Sequence, residues 1–399
     1  MKKKGYKKPS WFIYHFIFKV GSKFYAKFKL NLKVLRNEVK RKKGPYVVIA
    51  NHESVIDFMT LGSIMPRSNF VVSSSFYNTM PIKKLMKKSG VLPKQQFQTS
   101  PSDLKRMKEV VDNDMPLVIY PAGLMTEHGA TTPIPESTVK FLKWLKQDVY
   151  VANIKGTYLS KPKWSKLRRK GKCFIDVYKL YSKEELALLS NDVLYNKLQE
   201  VLSFDAYENQ EKLLIKYNNG DNLEGFENVL YKCPKCHKEF TIIAKGNKFE
   251  CQNCGNSVIA DCYGFLSGEK DSCVYFRHPS KWALKIKEEL KNEIANNPNY
   301  FMSSECEIHL LNMKKRKYLF AGNGVVSLNH ENIKLEGNIS GEEFVVNLPS
   351  NQYISLPFSP GKCFEIQNKD ISYRLYLKNG KEVTKWVWAL QSLYELKDK

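Results

Sequence analysis

The chain has 399 residues, 43% of them hydrophobic, and a formal net charge of +24. That length predicts two or three domains, and the apolar share is ample for their cores. No stretch approaches the roughly 20 apolar residues that span a bilayer. The apolar run from Trp11 to Phe18 stops at Lys19 with no small-residue cleavage site after it, so neither a signal peptide nor a spanning helix is expected.

The positive charge is concentrated at the start. Residues 1–50 hold 15 Lys/Arg against a single acid, Glu38. Such a surface calls for an anionic partner, either nucleic acid or an acidic membrane face. Within residues 1–44 aromatics alternate with lysines: Trp11, Phe12, Tyr14, Phe16, Phe18, Phe24, Tyr25 and Phe28 among Lys19, Lys23, Lys27 and Lys29. That mixture fits an amphipathic helix in a membrane interface, with rings in the headgroup layer and lysines on anionic lipid. It also fits a first helix packed on a sheet, and one helix can do both. The expected location is peripheral, on the cytoplasmic face of a membrane.

Residues 45–215 alternate strand-like and helix-like runs. Strands are expected at 46–50, 69–73, 116–120, 149–154 and 173–178, and helices at 56–65, 82–89, 101–111, 137–147 and 183–204. This is the pattern of an α/β domain with a largely parallel sheet. Residues 216–229 are polar and rich in Gly and Asn, and read as a linker. A cysteine module occupies 230–268 and a helical connector 269–300. From 301 to 399 short alternating runs predict a β-rich domain closed by a helix at 381–396. Seven strands and a terminal helix resemble the layout of pleckstrin-homology-like or GRAM-like domains.

The residues with chemistry begin at Pro45-Tyr-Val-Val-Ile-Ala-Asn51-His52-Glu-Ser54-Val-Ile-Asp57. A buried strand ends in Asn51-His52, Ser54 is an N-cap candidate, and Asp57 follows in the next helix. Reacting groups collect at such carboxyl ends of strands. A second apolar strand, Pro116–Tyr120, runs into Pro121-Ala122-Gly123. No Gly-x-Ser-x-Gly elbow is present, which argues against an α/β-hydrolase.

Asn51-His52-x4-Asp57, the Met80-to-Pro93 region, Tyr120-Pro121-Ala122-Gly123 and the Val149-to-Gly156 strand together resemble the glycerolipid acyltransferase family typified by 1-acylglycerol-3-phosphate acyltransferases. The resemblance covers roughly residues 30–210. It implies His52 as general base, Asp57 as its orienting carboxylate, and Asn51, Pro121 and Gly123 around the substrate; Lys94 is a candidate substrate-binding cation of this chain's own. It also implies an acyl-CoA or acyl carrier protein donor and a lysolipid acceptor. Two departures bear on the acceptor. The family's third motif continues Glu-Gly-Thr-Arg where this chain has Ala122, Gly123, Leu124 and Met125, and its second region ends Asp-Arg where this chain has Gln95-Gln96. Those arginines are the expected phosphate clamp, because guanidinium grips phosphate bidentately. Substitute cations are available in Lys94, Lys105-Arg106 and the run Lys161, Lys163, Lys166, Arg168, Arg169 and Lys170. Branches with Pro-Ala-Gly resemble this chain and act on other acceptors, such as lipids with amino-acid headgroups. A fold of this kind that grips lipid without turnover is the alternative.

Cys233-x2-Cys236 and Cys251-x2-Cys254, fourteen residues apart, provide four thiolates for a structural zinc ribbon. The odd total of nine cysteines suits a reducing compartment and a metal better than a disulfide framework. The nucleic-acid reading rests on the ribbon and the charge, and the aromatic company of the N-terminal lysines disfavours it.

Overall fold

The computed structural model describes residues 6–97 and 100–397, so residues 1–5 of the basic lead-in and the last two of the C-terminal region lie outside the described residues. The chain divides into two compact units. One runs to Pro162 and resumes over Arg168–Asn218; the other takes Lys163–Leu167 and Asn219–Lys399.

In the first unit the strands are β1 (Lys33–Asn37), β2 (Val47–Ala50), β3 (Asn69–Ser73), β4 (Val91–Lys94), β5 (Leu117–Ile119), β6 (Val149–Lys155) and β7 (Phe174–Tyr181). The helices are α1 (Val20–Leu30), α2 (Asp57–Ile64), α3 (Ser74–Thr79), α4 (Lys83–Lys88), α5 (Pro101–Asp112), α6 (Ser137–Leu145), α7 (Thr157–Ser160), α8 (Lys183–Leu188), α9 (Asn191–Leu202) and α10 (Ala206–Leu213). The strands form one sheet in the order β1-β7-β6-β2-β5-β3-β4. Every neighbouring pair is parallel except β6 with β7.

The sheet is covered on both faces, which is why its central strands read as unbroken apolar runs. Side chains alternate between faces along each strand. Val47, Ile49, Leu117, Ile119, Val149 and Val151 point into one core with Met107, Val110, Leu142, Leu194 and Leu198 of α5, α6 and α9. Tyr46, Val48, Ala50, Val118, Tyr150 and Ala152 point into the other, with Tyr14, Leu61, Phe18 and Phe58.

The basic lead-in is part of this unit and is not a separate segment ending at residue 44. β1 lies within it and pairs with β7, with Arg36 forked onto Asp176 at 2.9 and 3.0 Å. A π-helical stretch, Ile13–Lys19, leads into α1. The wider turn of the π-helix gives the pair of helices two stripes at a spacing of four. Tyr14, Ser22, Ala26 and Leu30 are buried, with Phe18 half-buried on the same stripe. Phe18 crosses Gly62 so closely that a Cβ there would lie 2.6 Å from its ring. Phe12, Phe16, Val20, Phe24 and Phe28 form the exposed stripe.

Three more expectations change. The single helix expected at 183–204 is two, because Ser190 accepts from the Val193 N–H and starts α9 after α8 has ended. Ser54 is no side-chain cap of α2; its hydroxyl donates to the Lys161 carbonyl at 2.6 Å. Residues 216–229 are no solvated linker, since Tyr217, Leu223, Phe226 and Val229 are buried.

The second unit opens with a four-stranded antiparallel sheet ordered β11-β10-β9-β8: β8 (Ile242–Lys245), β9 (Lys248–Cys251), β10 (Ser257–Ala260) and β11 (Leu266–Gly268). Helix α11 (Pro279–Asn296) follows. A seven-stranded antiparallel sheet then runs through β12 (Phe301–Asn312), β13 (Lys317–Asn329), β14 (Asn332–Ile339), β15 (Glu342–Pro349), β16 (Phe358–Ser359), β17 (Cys363–Asn368) and β18 (Ile371–Leu377). Its order is β15-β14-β13-β12-β18-β17-β16, and among the described residues its two end strands do not pair with each other. The closing helix α12 (Val383–Leu396) buries Trp386 and Trp388, with Trp386 stacked on Phe364 of β17.

Candidate active site

β2 is the central strand of the first sheet, and the turn after it carries Asn51, His52, Glu53 and Ser54. The Asn51 amide donates to the Ile154 carbonyl and accepts the Ile154 N–H, both at 2.8 Å. Both ends of that side chain are therefore committed to β6. This corrects the expectation that Asn51 meets substrate: it fixes where the turn leaves the sheet. The Thr126 N–H donates to the His52 carbonyl at 3.2 Å, tying the turn to the loop after β5.

His52 Nδ1 lies 2.8 Å from Asp57 Oδ2. Its ring stacks on Tyr120, with centroids 4.2 Å apart. Nδ1 faces Asp57, so Nε2 is the ring nitrogen left for a substrate. The side chain of His52 is 19% exposed and that of Asp57 is fully buried. Asp57 Oδ2 also accepts the Ser54 N–H at 2.8 Å, and Asp57 Oδ1 accepts the Thr157 hydroxyl at 2.6 Å. Three hydrogen-bonding groups thus converge on one carboxylate.

Thr157 reaches this place because β6 is followed at once by Gly156, whose φ of +89° turns the chain straight into α7. A side chain at Gly156 would sit 2.4 Å from the Tyr217 hydroxyl. On the other side of Thr157 lies Glu53. Its Oε2 is 3.1 Å from the Thr157 hydroxyl and accepts the Tyr158 N–H at 3.0 Å. Glu53 is fully buried, and burial, then the Asp57 charge, pushes its carboxyl up to about 8. Burial and the same acids also push up Tyr120, which faces Asp57, and Cys173, which faces Glu53 and then Asp57. Sequence reasoning passed over Glu53 and Thr157. Glu53 stands at a free position of the motif, and Thr157 comes from 100 residues beyond Asp57.

Tyr120, Pro121 and Gly123 form a turn in which the Gly123 N–H donates to the Tyr120 carbonyl at 2.9 Å. Gly123 has a φ of +64°, and nothing lies closer to a Cβ there than the Phe97 ring at 4.0 Å. The Gln96 amide donates to the Gly123 carbonyl at 2.6 Å. Lys94 is not brought to His52. It ends β4, three strands from β2, or roughly 14 Å across the sheet. Its ammonium donates to the Gln95 carbonyl at 3.0 Å, and burial lowers its pKa. Lys161, by contrast, adjoins the His52 turn through the Ser54 bond. That bond is to the Lys161 backbone carbonyl; burial, then Arg169 and Arg168, lowers the pKa of its ammonium. Glu127 and His128 are buried, with 3.3 Å between Glu127 Oε1 and His128 Nδ1.

In the second unit Cys233, Cys236, Cys251 and Cys254 bring their sulfurs within 4.8 Å of one another. Cys233 is 3.8 Å from Cys254, and Cys236 is 3.7 Å from Cys251. Metal–sulfur bonds of about 2.3 Å in a tetrahedron place sulfurs about 3.8 Å apart. Disulfide sulfurs lie about 2.05 Å apart. The four residues therefore fit a metal and form no disulfides.

Two comparisons bear on this geometry. The structure is similar to the crystal structure of the 1-acyl-sn-glycerophosphate (LPA) acyltransferase PlsC from Thermotoga maritima, at 18% identity and a TM-score of 0.42, over 50% of this chain and 80% of that one. The family model described as Acyltransferase matches residues 31–153, a span holding β1 to β5, the His52–Asp57 pair and the Pro121–Gly123 turn. Over those residues the chain is similar to the acyltransferase family.

Proposed function

We propose that this protein is a membrane-associated O-acyltransferase. It moves a fatty acyl group from acyl-CoA or acyl carrier protein to the hydroxyl of a lysophospholipid or related lipid. The observation that carries this reading is the 2.8 Å contact between His52 Nδ1 and a fully buried Asp57. In the proposed step His52 Nε2 takes the proton of the acceptor hydroxyl as its oxygen attacks the thioester carbonyl. Asp57 holds the imidazole in the tautomer that leaves Nε2 free, and balances the imidazolium that forms. Collapse of the tetrahedral intermediate breaks the carbon–sulfur bond, and the imidazolium returns its proton to the departing thiolate. No covalent enzyme intermediate is needed.

The acceptor reading rests on what replaces the missing arginines. The Lys161 backbone adjoins the His52 turn, and Lys161 with the exposed Arg168 would meet an anionic headgroup. The test is product analysis by mass spectrometry, with acyl-CoA and acyl carrier protein as donors. The acceptor panel spans lysophosphatidate, other lysophospholipids and lysolipids with amino-acid headgroups. Transfer to any of these supports the reading. Lipid binding without product across the panel supports the alternative of a lipid-gripping fold, which the altered residues Ala122, Leu124 and Met125 favour.

Membrane association rests on the exposed stripe of α1 and its π-helical lead. Trp11 is 58% exposed and Phe24 61% exposed, with Lys23, Lys27 and Lys29 beside them. No helix among the described residues is long and apolar enough to cross a membrane. Burying one such ring is worth about 1.5–3 kcal/mol. Phe24→Ser is therefore expected to weaken sedimentation with anionic vesicles about 10- to 100-fold while leaving the unfolding temperature unchanged. Unaltered vesicle binding in a Trp11→Ser, Phe24→Ser double variant would remove the stripe from the account. The four cysteines are proposed to hold a structural zinc, with four thiolates closing its coordination shell.

A further inference from the structure

Thr157 has one hydroxyl hydrogen and two carboxyl groups in front of it, Asp57 Oδ1 at 2.6 Å and Glu53 Oε2 at 3.1 Å. It cannot donate to both. Were both acids ionised, two negative charges would share a dry pocket with one hydrogen between them. Glu53 is also the acid least able to carry charge. Its Oε1 is buried without a hydrogen-bond partner among the described residues, whereas both oxygens of Asp57 accept hydrogen bonds. An uncompensated buried carboxylate is costly, and the group neutralises instead.

We propose that Glu53 is a positioning residue for the His52–Asp57 pair: as a neutral acid it donates its own hydrogen to the Thr157 oxygen, so that the Thr157 hydrogen is held on Asp57. The order Glu53 to Thr157 to Asp57 to His52 gives every oxygen between the two acids one hydrogen. The inference rests on the reading of His52 as general base. The groups that face this pair are His52, Tyr120 from the end of β5, Cys173 before β7, and Tyr217 after α10. Burial pushes the titration of Tyr120, Cys173 and Tyr217 upward, which leaves Glu53 to ionise first as pH rises. That ionisation is placed at about 8. It withdraws the hydrogen from Thr157, draws the Thr157 hydroxyl away from Asp57, and sets a second charge beside it.

The experiment is a pH profile of acyl transfer between pH 6 and 9.5, paired with an infrared titration of the carboxylic-acid band in the full chain. The wild type is expected to lose rate on an alkaline limb near pH 8. Glu53→Gln is expected to stay within about tenfold of the wild type at pH 7 and to lack that limb. Thr157→Val is expected to lose both rate and limb, and Thr157→Ser to regain them. The infrared band should fade as the wild type passes pH 8 and be missing from Glu53→Gln. The unfolding temperature gives a further check. Glu53 binds its proton more tightly folded than unfolded, so stability falls as pH rises between the ordinary carboxyl range and 8. The gap between Glu53→Gln and wild type should therefore widen in favour of the variant over that window. An alkaline limb that survives in Glu53→Gln overturns the proposal, and so does a wild type without the fading band. The infrared titration uses the unaltered protein, so it decides even if a variant fails to fold. A fully active His52→Ala would sink the acyl-transfer reading instead, leaving the infrared result to judge Glu53.

Discussion

Asp57→Asn is expected to lower acyl transfer by about 10²- to 10⁴-fold, the range that a positioned acid–base group contributes. The size follows from what surrounds the carboxylate. Its Oδ2 holds His52 Nδ1 and the Ser54 N–H, and its Oδ1 holds the Thr157 hydroxyl. An amide keeps the shape but has one acceptor oxygen. If that oxygen stays with Thr157, the amide NH2 faces His52 and must donate to Nδ1. The ring hydrogen then moves to Nε2, the atom that has to accept the substrate proton. If the oxygen turns to His52 instead, the NH2 faces the Thr157 hydroxyl, whose hydrogen must leave residue 57 for Glu53 Oε2. The variant should fold, because a neutral side chain is easier to bury than a charge. Rates with saturating donor, set beside a thermal unfolding curve, check this. Loss of rate with the fold retained is the expected result. A rate within threefold of wild type would show that Asp57 does not orient the base.

Removing the metal from the cysteine site is expected to unfold residues 230–268. The four sulfurs sit at the spacing of a tetrahedral zinc site. The strands they staple are short: β8, β9 and β10 have four residues each and β11 has three. So small a piece lacks a core of its own, and zinc contributes about 10–16 kcal/mol to folding such peptides at pH 7. Elemental analysis should find about one zinc per chain, and Cys251→Ser or a strong chelator should remove it. Amide hydrogen exchange should then rise across β8 to β11 while β2, β5 and β6 stay protected. A chain that carries no metal and keeps slow exchange in the ribbon would contradict a structural role.

The centre of the first unit was legible in its residues because its strands are buried on both faces. Val47–Ala50, Leu117–Ile119 and Val149–Lys155 are near-continuous apolar runs between turn signals, and little else produces that pattern. The edges were not legible. β1 reads Lys-Val-Leu-Arg-Asn and is almost wholly exposed, so no apolar period marks it. β4 contains Pro93, which a central strand would not tolerate but an edge strand does. β14 did carry a signal, Ile333 and Leu335 alternating inward, although the Asn and Gly around them read as turns. Ala321 to Asn323 carry β13 through Gly322 without a break, although no apolar alternation marks those three residues. The His–Asp pair and the four cysteines were legible for another reason: each is a local spacing that chemistry restricts. Glu53 and Thr157 meet only because β6 lies beside β2, and no spacing along the chain announces that.

His52 is present in the motif, whereas Gln95, Gln96, Leu124 and Met125 stand where the resembled family has its phosphate clamp. The most direct test of the central claim is therefore made at His52 on the whole protein. Product formed from a radiolabelled acyl donor and the best acceptor of the panel is measured for wild type and His52→Ala at equal folded concentration. The account predicts that product falls at least about 100-fold in the variant, with vesicle binding and unfolding temperature unchanged. Turnover by His52→Ala at the wild-type rate would contradict it.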